Sequence, residues 1–192
     1  TQEKLDNQRD VVKNEKRWSY DNRPYGFTQE VTAKNLYPEG HPYSWTVIGE
    51  MEDLFNATVD DVKEFHGRYY VPNNATLVLA GDFDLEEAKK LIEKYYGEIP
   101  RGGDVKDPDP MPFTLEKTKK LYHEDNFARA PQFRMLWPTI EEYTDDAYAL
   151  NYLGQLLSQG KKAPLYLVLE KERKLTSSYY AYNSSLEIAG SF

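Results

Sequence analysis

The stretch RGGDVKDPDPMPFT, Arg101–Thr114, limits what this chain can fold into more than any other. Its glycines, prolines and aspartates deny it a helix interior or a central strand, so the chain is expected to divide there. Residues 1–100 form one region, 101–114 a linker and 115–192 a second region. Before the linker most segments read as helix; after it, strand-like runs come first and helices follow.

Within the first region a helix is expected over Gln2–Tyr20 and another over Gly26–Asn35, with an ordered loop over Tyr37–Gly49. Thr58 followed by Asp61 predicts an N-terminal cap, and VPNN stops that helix. ATLVLAGDF, Ala75–Phe83, reads as a buried strand, and DLEEAKKLIEKYYGEIP as an amphipathic helix ended by Gly97. Beyond the linker, KKLYHEDNF and PQFRMLWP read as strands. Thr144 caps a helix, APLYLVLEKER forms another, and LTSSYYAYNSSLEIAGSF closes as a hairpin turning near Asn183–Ser185.

The first helix raises a question of chemistry. On a wheel of about 100° per residue, Leu5, Val11, Val12 and Trp18 share an arc, with Glu15 near its middle and Gln8 beside it. Arg9, Lys13 and Lys16 point away. A carboxylate buried in an apolar stripe costs several kcal/mol unless a cation or metal shares its charge. Periodicity alone leaves an edge position or a lysine partner as the commoner explanation.

Composition narrows the partners. A net charge of −8 argues against nucleic acid and anionic membrane surfaces. The absence of cysteine removes disulfides and thiolate metal sites. No apolar run reaches the length of a membrane span, and no secretory leader pattern occurs. The three histidines, His41, His66 and His123, form neither HExxH nor HxxEH, and no P-loop, nucleophile elbow or Rossmann glycine pattern is present. The acidic pairs Asp60–Asp61, Glu86–Glu87 and Asp145–Asp146 fall in first helical turns, where the helix dipole explains them. Thr1 is not an initiator residue and LEIAGSF stops in what reads as mid-strand, so the chain is expected to be a piece of a longer protein.

Several stretches together resemble the pitrilysin/insulinase (M16) zinc peptidases, which include the mitochondrial processing peptidases. QRDVVKNEKRWSYDNRPYG is similar to the helix that carries that family's third zinc ligand. HPY, the run from NATVDDV through YYVPNNATLVLAGDFD, and YYGEIP match the rest of the catalytic domain. PQFRMLWPT and the segment from DDAYALNYLGQLLSQG to SSYYAY look like the start of the second, non-catalytic domain.

The resemblance implies an α+β architecture: mixed sheets with packed helices, a partial metallohydrolase fold of the LuxS/mitochondrial-processing-peptidase type. Residues 1–100 would be the C-terminal half of the catalytic domain and 115–192 the N-terminal half of the second. Glu15 would be the third zinc ligand, Gln8 at most an outer hydrogen-bonding residue, and His41, Pro42 and Tyr43 loop structure. The HxxEH helix, with two ligands and the general base, lies outside these residues, so the 192-residue chain alone is expected to be inactive. The parent would be a zinc-dependent endopeptidase acting on peptides or unfolded polypeptide. The alternative is a non-catalytic homologue serving as a scaffold or peptide-binding subunit; an unrelated α+β binding module would require an exposed Glu15. Open apolar faces are expected to favour a homodimer. The resemblance is compatible with the bacterial periplasm or cell envelope.

Overall fold

A computed structural model describes residues 1–192. It divides into two compact units: Thr1–Lys13 with Glu50–Asp107, and Asn14–Gly49 with Pro108–Phe192.

In the first unit helices follow local signals. The opening helix, α1, runs from Gln2 to Lys16 and continues into the second unit's residues. Arg9 donates through Nε to the carbonyl of Leu54 at 2.8 Å and through its guanidinium to that of Ala57. These are orphan carbonyls at the C-terminal end of α3 (Met51–Asn56), so a cation sits where the helix dipole is negative. Helix α4, Val59–Tyr69, opens with the expected capping box: Thr58 Oγ1 accepts from the Asp61 amide, and the Asp61 carboxylate accepts from the Thr58 amide. A 3₁₀ turn over Pro72–Asn74 ends it. Helix α5, Leu85–Tyr96, is capped by Asp84 accepting from the Glu87 amide. No residue of this unit is buried.

The second unit holds every buried residue and the entire sheet. A π turn at Arg17–Asp21 and the helix α2, Thr28–Leu36, precede the 37–49 loop. Strands β1 (Pro138–Thr139), β2 (Ser184–Ser185) and β3 (Gly190–Ser191) form one antiparallel sheet in the order β1-β3-β2. Reciprocal bonds between Trp137 and Phe192, at 3.1 and 2.9 Å, extend the β1–β3 ladder. Helix α6, Asp145–Ser158, is capped by Thr144, whose Oγ1 accepts from the Ala147 amide. A π-helical segment follows at Tyr166–Glu172. The core is small: Leu36, Tyr37 and Ala189, flanked by Tyr43, Phe113, Leu115 and Leu136.

Several expectations are corrected. Ala75–Phe83 pairs with nothing and lies exposed, with Val78 at 78%. A strand exists only through a partner, and the first unit contains no other strand. Lys119–Phe127 also stays unpaired, and PQFRMLWP joins the sheet only at its end. The sheet is purely antiparallel rather than mixed. The first helix loses α geometry at Lys16, four residues early. The C-terminal hairpin turns over residues 186–189, where the Leu186 amide donates to the Ala189 carbonyl at 3.0 Å. Serines 184 and 185, expected in the turn, are its first strand.

The exposed surface measures 15642 Å² for 22.4 kDa. Even two separate compact units of half that mass would together expose about 11,400 Å². Leu77, Leu79, Phe65 and Tyr95 are each at least half exposed in the first unit. No helix is long and apolar enough to cross a membrane.

Candidate functional site

The periodicity that singled out Glu15 assumed that the valines and Trp18 face inward. The structure shifts the inward face of α1 part of the way round: Leu5 and Val12 are half-buried there, beside Arg9, Lys13 and the buried Lys16. Val11 is 55% exposed and Trp18 82%, and both Glu15 and Gln8 are exposed. The residues drawn in beside Leu5 and Val12 are basic. Arg9 holds the end of α3, and Lys16, 9% exposed, donates from Nζ to the Gly49 carbonyl at 2.8 Å. Long basic side chains bury their methylene stems while the charged end finds a carbonyl, so this face can be inward without being apolar. A wheel that scores hydrophobicity alone misses it.

Glu15 belongs to the second unit and Gln8 to the first. Glu15 lines neither of two hollows in the second unit. One, of about 160 Å³, is walled by Ser19, Tyr20, Arg23, Tyr25, Gly26 and Gln29. The other is an open groove of about 450 Å³ between β1 and α6, walled by Thr139, Ile140, Asp146, Leu150 and Leu153 among others.

A peptidase zinc takes three protein ligands and keeps one position for water. No group of three or more His, Asp or Glu side chains here lies close enough to hold a metal. This chain's own residues therefore do not fit a complete zinc centre, and Glu15 can offer one carboxylate to it. His66 is exposed and stacks on Tyr70 at 4.9 Å between ring centres; His123, also exposed, lies 5.5 Å from Phe27. His41 is 3% exposed and holds loop structure, as expected of HPY.

The Asp125 carboxylate serves the structure. Asp125 accepts from the amides of Phe127 and Ala128 through Oδ1 and from that of Tyr25 through Oδ2, at 2.7–2.8 Å. These hydrogen bonds, the one from Phe127 foremost, hold its carboxyl below the usual aspartate range. Tyr25 sits at φ 59°, a left-handed conformation rare for a bulky residue, and its hydroxyl donates to the Ala130 carbonyl at 2.8 Å. Gly26 follows it because a Cβ there would lie 1.8 Å from the Tyr20 carbonyl oxygen. Burial pushes the Tyr37 phenol up, with Tyr43 adding to the effect. Sequence reading missed the Tyr25–Asp125 junction, since nothing local links residues so far apart.

Residues 56–192 match the family model described as the peptidase M16 inactive domain. The chain is 29% identical over 185 residues to the zinc protease PqqE of Helicobacter pylori, covering 94% of this chain and 41% of that protein. It is 28% identical over 171 residues to the mitochondrial presequence protease of Xenopus laevis, covering 83% and 16% respectively. Among solved structures, the crystal structure of a protease from Helicobacter pylori superposes with a TM-score of 0.75 at 28% identity, over 100% of this chain and 47% of that one. The chain thus spans less than half the length of the relatives it matches. It belongs to the M16 peptidase family, and most of it is the domain that the family model calls inactive.

Proposed function

We propose that these residues are part of an M16 zinc endopeptidase that hydrolyses peptides. Their expected place spans the end of a catalytic domain of the metallohydrolase fold and the beginning of its non-catalytic partner. The supporting observation is the similarity to a zinc protease along 94% of the chain, over only 41% of that protein's length. In this reading Glu15 supplies one carboxylate ligand to a zinc ion whose other ligands and general base come from outside these residues. Its exposure leaves the carboxylate accessible. Exposure was also what an unrelated binding module required, but family membership removes that alternative. Gln8 is proposed to do no more than hydrogen-bond near that carboxylate. The surface left open in the first unit is proposed to be covered by further polypeptide of the same protein. A homodimer finds no support among the relatives and is not part of this reading.

A second reading, a peptide-binding or scaffolding subunit without catalysis, draws on the inactive label of the matched domain. The coding sequence upstream of Thr1 separates the two: HxxEH favours the enzyme, and its absence favours the scaffold. Metal analysis of the protein as encoded then tests the ligand. Glu15→Gln is expected to lose most of the bound zinc, and undiminished zinc would remove Glu15 from the site. The 192 residues alone are expected to release no product from unfolded peptides with zinc added.

A further inference from the structure

One groove in the second unit takes no part in the zinc chemistry proposed above. Strand β1 and Ile140 form one wall, and Asp146, Ala149, Leu150 and Leu153 of α6 form the other, around about 450 Å³. Ligand sites commonly enclose about 300–1,000 Å³. The walls are mostly apolar, and Leu153 remains 41% exposed, so the chain leaves this surface open.

Residues 141–145 join the two walls in a firmly held turn. Thr144 Oγ1 accepts from the Ala147 amide and donates to the Glu141 carbonyl, both at 3.2 Å. The Glu142 amide donates to the Leu186 carbonyl at 2.9 Å. Within this turn Tyr143 takes φ 64°, a left-handed conformation unfavourable for a bulky residue, and stands 82% exposed. A strained turn that offers its aromatic ring to solvent suits a contact surface better than a packing element.

The charge beside the groove has one sign. Glu141, Glu142, Asp145 and Asp146 fall within six residues, and Asp146 lines the groove itself. None of the four forms an ion pair with a lysine, arginine or histidine of the chain. The N-terminus of α6 favours Asp145 and Asp146, but a helix dipole is worth about half a charge and leaves most of four carboxylates unbalanced. Strand β1 is an edge of the sheet, yet Pro138 has no N–H to donate, so a peptide finds no regular ladder there. Recognition has to go through side chains.

We propose that the β1–α6 groove docks a basic peptide segment. Its apolar side chains lie against Ile140, Leu150 and Leu153, and its lysines or arginines meet Asp146 and the neighbouring carboxylates. Apolar burial supplies affinity and the acidic rim selects the sign of charge. That the ligand is a peptide rests on the peptidase reading above; the chemistry of the groove does not depend on zinc.

The test is fluorescence anisotropy on the 192-residue chain with a labelled peptide of leucine and lysine, a twin with glutamate for lysine, and a twin with serine for leucine. The first is expected to bind, and each twin at least about tenfold more weakly. Ala149→Gln, which fills the groove from an exposed position, is expected to weaken binding about tenfold. Asp146→Lys is expected to do the same and to tighten binding of the glutamate twin, an exchange of preference that unfolding cannot produce. Asp60→Lys, the same change in the first turn of α4, is expected to leave binding unaltered. An equal loss there would reveal only the attraction of a chain with net charge −8, and would overturn the groove. No binding by the unaltered chain, or unchanged binding in either groove variant, refutes the proposal and leaves the peptidase reading to the upstream HxxEH. A chain that dimerises alone and becomes monomeric in Ala149→Gln would assign the groove to a second copy. Loss of binding in the protein as encoded, with the probe confirmed intact by mass spectrometry, would assign it to further polypeptide of the same chain. Either result overturns the proposal.

Discussion

The unit of Thr1–Lys13 with Glu50–Asp107 and the unit of Asn14–Gly49 with Pro108–Phe192 use similar local signals yet differ in what those signals rest on. Capped helices occur in both: Thr58 and Asp84 in the first, Thr144 in the second. Only the second has buried side chains and paired strands. The difference teaches that caps and good helix formers shape helices without a core beneath them. A core instead needs segments that return from far along the chain. In the second unit the return of residues 186–192 to Met111, Trp137 and Tyr43 supplies it. In the first unit the long-range contacts are polar, Arg9 with the Leu54 and Ala57 carbonyls and Asn73 with Gly102 and Gly103, and Leu77, Val78 and Leu79 stay exposed.

The largest expected effect compares burial directly. Ala189→Glu places a carboxylate at a site with 0% exposure and should cost about 3 kcal/mol or more, melting the second unit in thermal unfolding followed by circular dichroism. Val78→Glu, at a site 78% exposed, should shift stability by no more than about 0.5 kcal/mol. Equal damage from the two would break the comparison.

Glycines sharpen it at intermediate size. A Cβ on Gly154 in α6 would stand 2.8 Å from the Ala181 carbonyl oxygen and 3.0 Å from the Tyr182 Cα. Gly154→Ala should therefore cost about 1–3 kcal/mol in denaturant titration. Gly67 in α4 has open space around the same position, and Gly67→Ala should instead gain about 0.5–1 kcal/mol of helix stability. Opposite signs are the expected result.

Smaller again is the loss of a cap. Thr58→Ala should reduce the stability of α4 by about 1 kcal/mol, read as lower helicity, with no change in the second unit's amide spectrum. Acid gives the mildest readout in both units. Hydrogen bonds from Thr58 hold the Asp61 carboxyl low, and those from Phe127, Ala128 and Tyr25 do the same for Asp125. A lowered folded value means that each contribution is complete above the ordinary carboxylate range, about 3.9 for aspartate, and fades as pH falls through the lower folded value. Asp125→Asn should flatten the second unit's acid transition and Asp61→Asn the first unit's, checked by pH titration of residue-specific amide shifts.

Legibility followed the same divide. The caps at Thr58 and Thr144, the helix over 85–96 and the family resemblance were all readable, because each depends on residues close together or on a motif carried intact. The stripe around Glu15 agrees with the structure at Leu5 and Val12, which are half-buried, and not at Val11, Glu15 and Trp18, which are exposed. Hydrophobic spacing cannot register that Arg9 and Lys16 can turn inward once carbonyls at Leu54, Ala57 and Gly49 stand ready to receive them. The strand reading of Ala75–Phe83 identified an apolar run correctly and could not supply its partner.

By itself the sequence determined the capped helix starts at Thr58 and Thr144, the acidic character and the family, since short-range hydrogen bonding, net charge and motif identity need no long-range information. Tertiary structure alone decided which face of α1 is inward, which apolar runs become strands, and that His41 closes a four-bond ring with Tyr43, Met111 and Ile188. The physical reason is that burial and strand pairing belong to pairs of segments, and a pair forms only when the chain brings distant donors and acceptors within about 3 Å of one another.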